Sequence, residues 1–189
     1  SMIPCNAGDW YEQANAWKAY GPITARTLNA QWHITAVSGI GLVQSCCGNT
    51  HTMPQVFRQI NLEPVGPAWD FKKYQPDVLT ICLGQNDGLQ DSSIFVQAYI
   101  RFIANVRAVY PKTEIVLLSS PMAGKELQAM LMKYCTAVRK ELFNNGDKKI
   151  HTFFFDKQYT GGCDSHPSET EHQEIAELLT SFIKKTMNW

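Results

Sequence analysis

Asp164 and His166 stand two residues apart in GGCDSHPSE (161–169), between a glycine pair and a proline. A neutral imidazole held in one tautomer by a carboxylate is the usual general base for a serine nucleophile; it takes the hydroxyl proton and returns it to a leaving group. Two other short stretches supply complementary chemistry. SGIGL (38–42) places Gly39 where backbone must approach something closely, and GQND (84–87) adds the carboxamide of Asn86, whose NH2 can donate to a developing oxyanion. An acid, a base and two donors are parts of an acyl-transfer site. Each part also has an ordinary reading. Gly39 and Gly41 can be turn glycines, Asn86-Asp87 can cap the following helix, and His166 before Pro167 can be a surface turn residue with Asp164 beside it by accident.

The remaining reactive side chains offer less. Ser38 lacks the flanking glycines of a G-x-S-x-G elbow, Ser119 and Ser120 end an apolar run and read as structural, Ser45 sits in a loop and Ser168 at a helix cap. His33, His51, His151 and His172 show no metal-ligand spacing with the cysteines, so no metal site is expected. Of the six cysteines, Cys82 and Cys135 fall on apolar runs and read as buried thiols. A bridge among Cys5, Cys46, Cys47 and Cys163 is open, with no spacing rule to choose the pairing.

The elements that must position these groups alternate. Four apolar runs rich in β-formers, HITAV (33–37), DVLTICL (77–83), EIVLLS (114–119) and IHTFFF (150–155), read as strands. Helical patterns lie between them. ANAWKAYGPITARTLNA has near-helical apolar spacing with Pro22 near a turn start, and residues 92–110 form an amphipathic helix ended by Pro111. Residues 123–144 repeat the pattern up to Asn145-Gly146, and 168–185 open with Ser168 and Glu171 as a capping box. Alternation of this kind predicts an α/β sandwich with a mostly parallel, doubly wound sheet, and in such sheets ligands sit beyond the carboxyl ends of the strands. Gly39, Asn86, Asp164 and His166 all follow predicted strands.

The bulk numbers set limits. At 189 residues, 44% hydrophobic and 18% charged, the chain reads as one globular domain over 1–189. Lys+Arg and Asp+Glu both total 17, so no overall field recommends nucleic acid or an anionic membrane as a partner. No apolar run approaches the roughly 18–20 residues needed to span a bilayer, and the first residues lack the signature of a signal peptide. That pattern predicts a soluble or processed chain.

The order Gly39, Asn86 in GQND, then Asp164 and His166 in GCDSHPS resembles the later blocks of the SGNH (GDSL-type) hydrolases. More narrowly, AYGPITARTLNA, SGIGL, TMPQVF (52–57), WDFKKYQPDVLTICLGQND (69–87) and GCDSHPS resemble carbohydrate esterase family two, acetyl esterases acting on plant polysaccharides. The resemblance runs from about residue 16 to the end. It implies a three-layer α/β/α fold and serine-dependent deacetylation of an acetylated polysaccharide or oligosaccharide, with neither metal nor cofactor. It assigns the Gly39 N–H and the Asn86 side chain to the oxyanion hole, His166 to the base and Asp164 to its orienting acid. In that family a backbone carbonyl sometimes orients the ring instead, and Ser165 stands where an aromatic is common. Trp69 would offer a sugar-stacking face, or would simply pack. Secretion or a periplasmic location is implied by the polymeric substrate alone.

The family's first block, a buried strand ending in Gly-Asp-Ser with the nucleophilic serine, has no counterpart here. Placing Ser1 on that serine makes it the nucleophile. The alternative is that Ser1, alone or with Met2, is left by an expression tag and the nucleophile lies on another segment. In either case the sheet is expected to lack its first strand, which a separate or cleaved N-terminal segment, or a neighbour, would supply.

Overall fold

The structure, a computed structural model, describes Cys5 and residues 13–189. It divides into two compact units, one joining the segment up to Ile34 to Asp156–Trp189, the other spanning Thr35–Phe155.

The larger unit is built on three strands, β1 (Val78–Ile81), β2 (Glu114–Leu118) and β3 (Ile150–Phe153), parallel and in the order β1-β2-β3. Val78 pairs with Glu114 and Ile115 with Ile150, so the three runs leave the sheet at the same end. Parallel strands need connections that cross back over a face, and helices supply them. The 3-10 turn Phe71–Lys73 and the short helix α2 (Met53–Val56) precede β1, and α3 (Ser92–Arg107) and α4 (Lys125–Asn144) link the strands. Helix α3 buries Phe95, Tyr99, Phe102, Ile103 and Val106 along one stripe, and Asp91 caps it by accepting from the N–H groups of Ser93 and Ile94. Ile115 to Leu118 are wholly buried, as expected of a central parallel strand.

HITAV departs from expectation. Residues 33–37 form no strand, and all but Val37 are exposed. A strand exists only where a neighbour takes its N–H and C=O groups, and among the described residues β1 has a partner on one side only. The other three predicted strands are present, each shorter than its apolar run.

In the smaller unit, the 3-10 turn Ala16–Lys18 leads into α1 (Tyr20–Thr27), with Pro22 in its first turn, and α1 packs on α5 (Glu169–Met187). Helix α5 buries Ile175, Ala176, Leu179 and Ile183, and its capping box of Ser168 and Glu171 is present as expected. Among the described residues no helix is long and apolar enough to cross a membrane. Disulfides join Cys5 to Cys163 and Cys46 to its neighbour Cys47, while Cys82 and Cys135 form no disulfide among the described residues. Burial pushes the Cys135 thiol up to about 12, which keeps it protonated and inert.

Candidate active site

Two predicted residues of the larger unit come together, Asn86 on the loop at the carboxyl end of β1 and Gly39 on the loop packed against it. The loop after β1 turns at Gly84, whose φ of +114° suits glycine, and a Cβ there would run into Leu131. Two residues on, Asn86 donates from Nδ2 to the Ile40 carbonyl at 2.8 Å. An amide nitrogen carries two protons, and the second has no acceptor among the described residues. The Cys46 sulfur lies 3.4 Å from the Asn86 Oδ1; bridged to Cys47 it has no proton to give, so this is a packing contact.

Gly39 is held against the same cysteine pair. Its carbonyl accepts from the Cys46 N–H at 2.9 Å, its φ is +76°, and a Cβ would stand 3.0 Å from the Cys46 carbonyl oxygen. Its own N–H has no acceptor among the described residues. Gly39 and Asn86 therefore share neighbours, Ile40 and Cys46, and each keeps an unspent N–H.

Asp87 is the part that sequence reading missed. It is 1% exposed, and its carboxylate accepts from the backbone N–H of Leu42 at 2.9 Å, Val43 at 2.6 Å and Gln44 at 3.2 Å. It thereby clamps the loop beginning at Gly39 to the loop after β1. The cap of α3 is Asp91, not Asn86-Asp87. Gly41 belongs to the same clamp, since a Cβ there would lie 2.7 Å from an Asp87 oxygen.

In the smaller unit His166 follows the 3-10 turn Cys163–Ser165. Its Nδ1 lies 3.2 Å from the Cys163 carbonyl, which also accepts the His166 backbone N–H at 3.0 Å. A carbonyl can only accept, so Nδ1 carries the ring proton and Nε2 presents its lone pair. That is the tautomer a base requires. The partner of the ring is this carbonyl rather than Asp164, which is exposed and left-handed at φ +50° and makes no hydrogen bond or ion pair among the described residues. Ser165 is left-handed too, at φ +58°.

The other candidates fall elsewhere. Ser1 lies outside the described residues. Trp69 donates its backbone N–H to Arg58 and stands beside Tyr110, at the amino end of β2, the opposite end of the sheet from Asn86. Ser119 is buried and accepts from the Phe155 N–H at 3.0 Å, and Ser120 accepts from Met122, both structural. His151 is spent on Glu114 at 2.8 Å. Among the described residues no three His, Cys, Asp or Glu side chains cluster as metal ligands.

A three-stranded parallel sheet flanked by helices, with an amide donor pinned on the loop after β1, defines an α/β scaffold. The chain belongs to the GDSL-like lipase/acylhydrolase (SGNH) family, whose sequence profile matches residues 5–153. It is 37% identical over 181 residues to the cellulase/esterase CelE of Acetivibrio thermocellus, covering 93% of this chain and 22% of that protein. It is 30% identical over 184 residues to an acetylxylan esterase / glucomannan deacetylase of Cellvibrio japonicus, covering 93% and 50%. A family two carbohydrate esterase from Clostridium thermocellum, solved in complex with cellohexaose, superimposes with a TM-score of 0.87 at 35% identity, covering 93% of this chain and 56% of that one. The chain thus spans at most about half the length of these relatives.

Proposed function

We propose that the protein is a serine-dependent carbohydrate acetylesterase that removes O-acetyl groups from a plant polysaccharide such as xylan. The observation that carries this reading is the Asn86 amide, pinned by one N–H to Ile40 with the other unspent. The kinship with an acetylxylan esterase supports the substrate class. In the proposed reaction a serine oxygen attacks the acetyl carbonyl while His166 Nε2 takes its proton. The tetrahedral oxyanion accepts from the Gly39 N–H and the Asn86 amide, and His166 then protonates the departing sugar oxygen. Water repeats the sequence on the acetyl-serine and releases acetate. The Cys163 carbonyl orients the ring in place of Asp164.

The nucleophile in this proposal is Ser1, and the first strand of a single SGNH-type domain comes from a separate or cleaved preceding segment; the alternative is a nucleophile carried on that segment. No metal or cofactor enters the chemistry. A polymeric substrate implies an enzyme secreted or periplasmic, a reading that the two disulfides support. One observation favours a second reading, a glycan-binding module without turnover: a relative is solved with cellohexaose.

Acetate release from p-nitrophenyl acetate and from acetylated xylan is measured for the parent, Ser1→Ala and His166→Ala. Activity in the parent alone supports the proposal. Activity retained by His166→Ala sinks the assigned base, and saturable glycan binding with no acetate from any of the three supports the binding module.

A further inference from the structure

The loop that carries His166 has little burial to hold it. None of Cys163–Ser165 is buried, and Asp164 and Ser165 both adopt left-handed backbone that side-chain-bearing residues rarely take. At the turn itself one carbonyl, that of Cys163, accepts both the backbone N–H and the ring Nδ1 of His166, while Glu171 holds the start of the loop through the Gly161 N–H. The loop closes on itself where the Gly162 N–H donates to the His166 carbonyl at 2.7 Å, so closely that a Cβ on Gly162 would stand 2.8 Å from that oxygen. The residue whose carbonyl sets the ring is also bonded through its sulfur to Cys5, 158 residues away in sequence.

We propose that the Cys5–Cys163 disulfide is a positioning element for His166: it fixes the Cys163 peptide, and through that carbonyl the tautomer and orientation of the imidazole. This rests on the proposed esterase reading for its effect on turnover, though not for its effect on the ring. The bond replaces the packing the exposed turn lacks, and it ties the base's loop to a segment four residues from Ser1. Two turn residues in left-handed backbone have nearby right-handed or extended alternatives, and any of these rotates the Cys163 carbonyl away from Nδ1. Without its acceptor, Nδ1 loses its claim on the ring proton, and Nε2 is protonated for part of the time. An imidazole protonated there cannot act as the base.

The link is reversible. A dithiol such as dithiothreitol passes two electrons and two protons to the bridge. The sulfur–sulfur bond breaks, Cys5 and Cys163 become thiols, and the reagent closes to its own cyclic disulfide. Deacetylation by this protein would then follow the redox state of its surroundings.

The test compares the oxidised wild type with Cys5→Ser, which removes this bridge and leaves Cys46–Cys47 intact. Each protein is labelled with 15N in its histidines, and His166→Gln identifies the resonances. In the wild type the His166 nitrogens report a proton fixed on Nδ1. In Cys5→Ser they move toward the averaged values of a mixed tautomer, while kcat on p-nitrophenyl acetate falls about 10²-fold, the usual cost of a reacting group misplaced by an ångström, and KM stays within about twofold. Dithiothreitol added to the wild type reproduces the nitrogen shift, and added to Cys5→Ser it moves the His166 nitrogens no further. Unchanged His166 nitrogens in a folded Cys5→Ser protein overturn the proposal. So does a Cys5→Ser protein whose whole spectrum collapses, because the bridge is then a general stability element. A wild type that releases no acetate but shows the nitrogen shift leaves the positioning role intact and refutes only the esterase reading.

Discussion

The side-chain amide of Asn86 donates one of its two protons to the carbonyl of Ile40, the residue after Gly39. The bond fixes the amide plane before any substrate arrives. A donor already oriented loses nothing in reorganisation when charge develops in front of it, which is why such donors count heavily in acyl transfer.

Removing that donor is therefore expected to act on turnover. Asn86→Ala should lower kcat by about 10²–10³ with little change in KM, the typical loss for one oxyanion donor. Steady-state kinetics on p-nitrophenyl acetate decide it. Wild-type turnover in Asn86→Ala would remove the residue from the mechanism.

Asp87 predicts a different signature. Its buried carboxylate is the acceptor for three consecutive backbone N–H groups, those of Leu42, Val43 and Gln44. Asp87→Ala leaves those donors without their partner, and such a loss should cost about 3 kcal/mol in a urea titration. Asp87→Asn keeps one acceptor oxygen and should cost less. Because the clamp ends at the loop bearing Gly39, both variants should also lose turnover, in the same order as they lose stability.

The contrast between Asn86 and Asp87 shows what the sequence makes legible. Strands β1, β2 and β3 are readable because their apolar runs are continuous and each has a neighbour to pair with. HITAV has the same composition and forms no strand, because strand formation depends on a partner that residue types do not encode. The place of Asn86 on the loop after β1 follows from its position behind an apolar run, and its amide does donate there, to the Ile40 carbonyl. Asp87 reads as a helix cap because it precedes an amphipathic run, whereas Asp91, four residues on, takes that task. At His166 a carboxylate two residues away looks like the orienting group, whereas the acceptor is a backbone carbonyl, which every residue type carries and no composition reveals. The Cys5–Cys163 pairing is likewise a fact of three-dimensional proximity, since four candidate cysteines admit three full pairings.

The sheet carries a pH dependence of its own. Burial alone pushes the Glu114 carboxyl up, but hydrogen bonds from His151 and Lys149, with their positive charge, outweigh it and hold the group below its ordinary value of 4.5. A carboxyl depressed in the folded state contributes stability that is complete above its unfolded value and is lost as pH falls through the folded one. Glu114→Gln should accordingly be less stable than wild type at neutral pH, and the difference should close in acid below pH 4.5. Urea midpoints across that range measure it. A difference that persists undiminished in acid would show that the loss is one of packing rather than charge.

Ser168 and Glu171 separate capping from positioning. The Ser168 hydroxyl accepts from the Glu171 N–H at 3.3 Å, while one Glu171 oxygen accepts from the Ser168 N–H at 2.7 Å and the Gly161 N–H at 2.8 Å. The serine thus serves the helix alone, whereas the glutamate also grips the start of the loop that carries His166. Ser168→Ala should cost about 1 kcal/mol, the usual value of an N-cap, and leave kcat near wild type. Glu171→Ala should cost a similar amount of stability and lower kcat as well, since Gly161 loses its acceptor and the loop its near anchor. Thermal melts and kinetics on the two variants read the difference. Equal turnover in both would confine Glu171 to the helix terminus; loss of turnover in Glu171→Ala alone would place it among the groups that hold His166 in position.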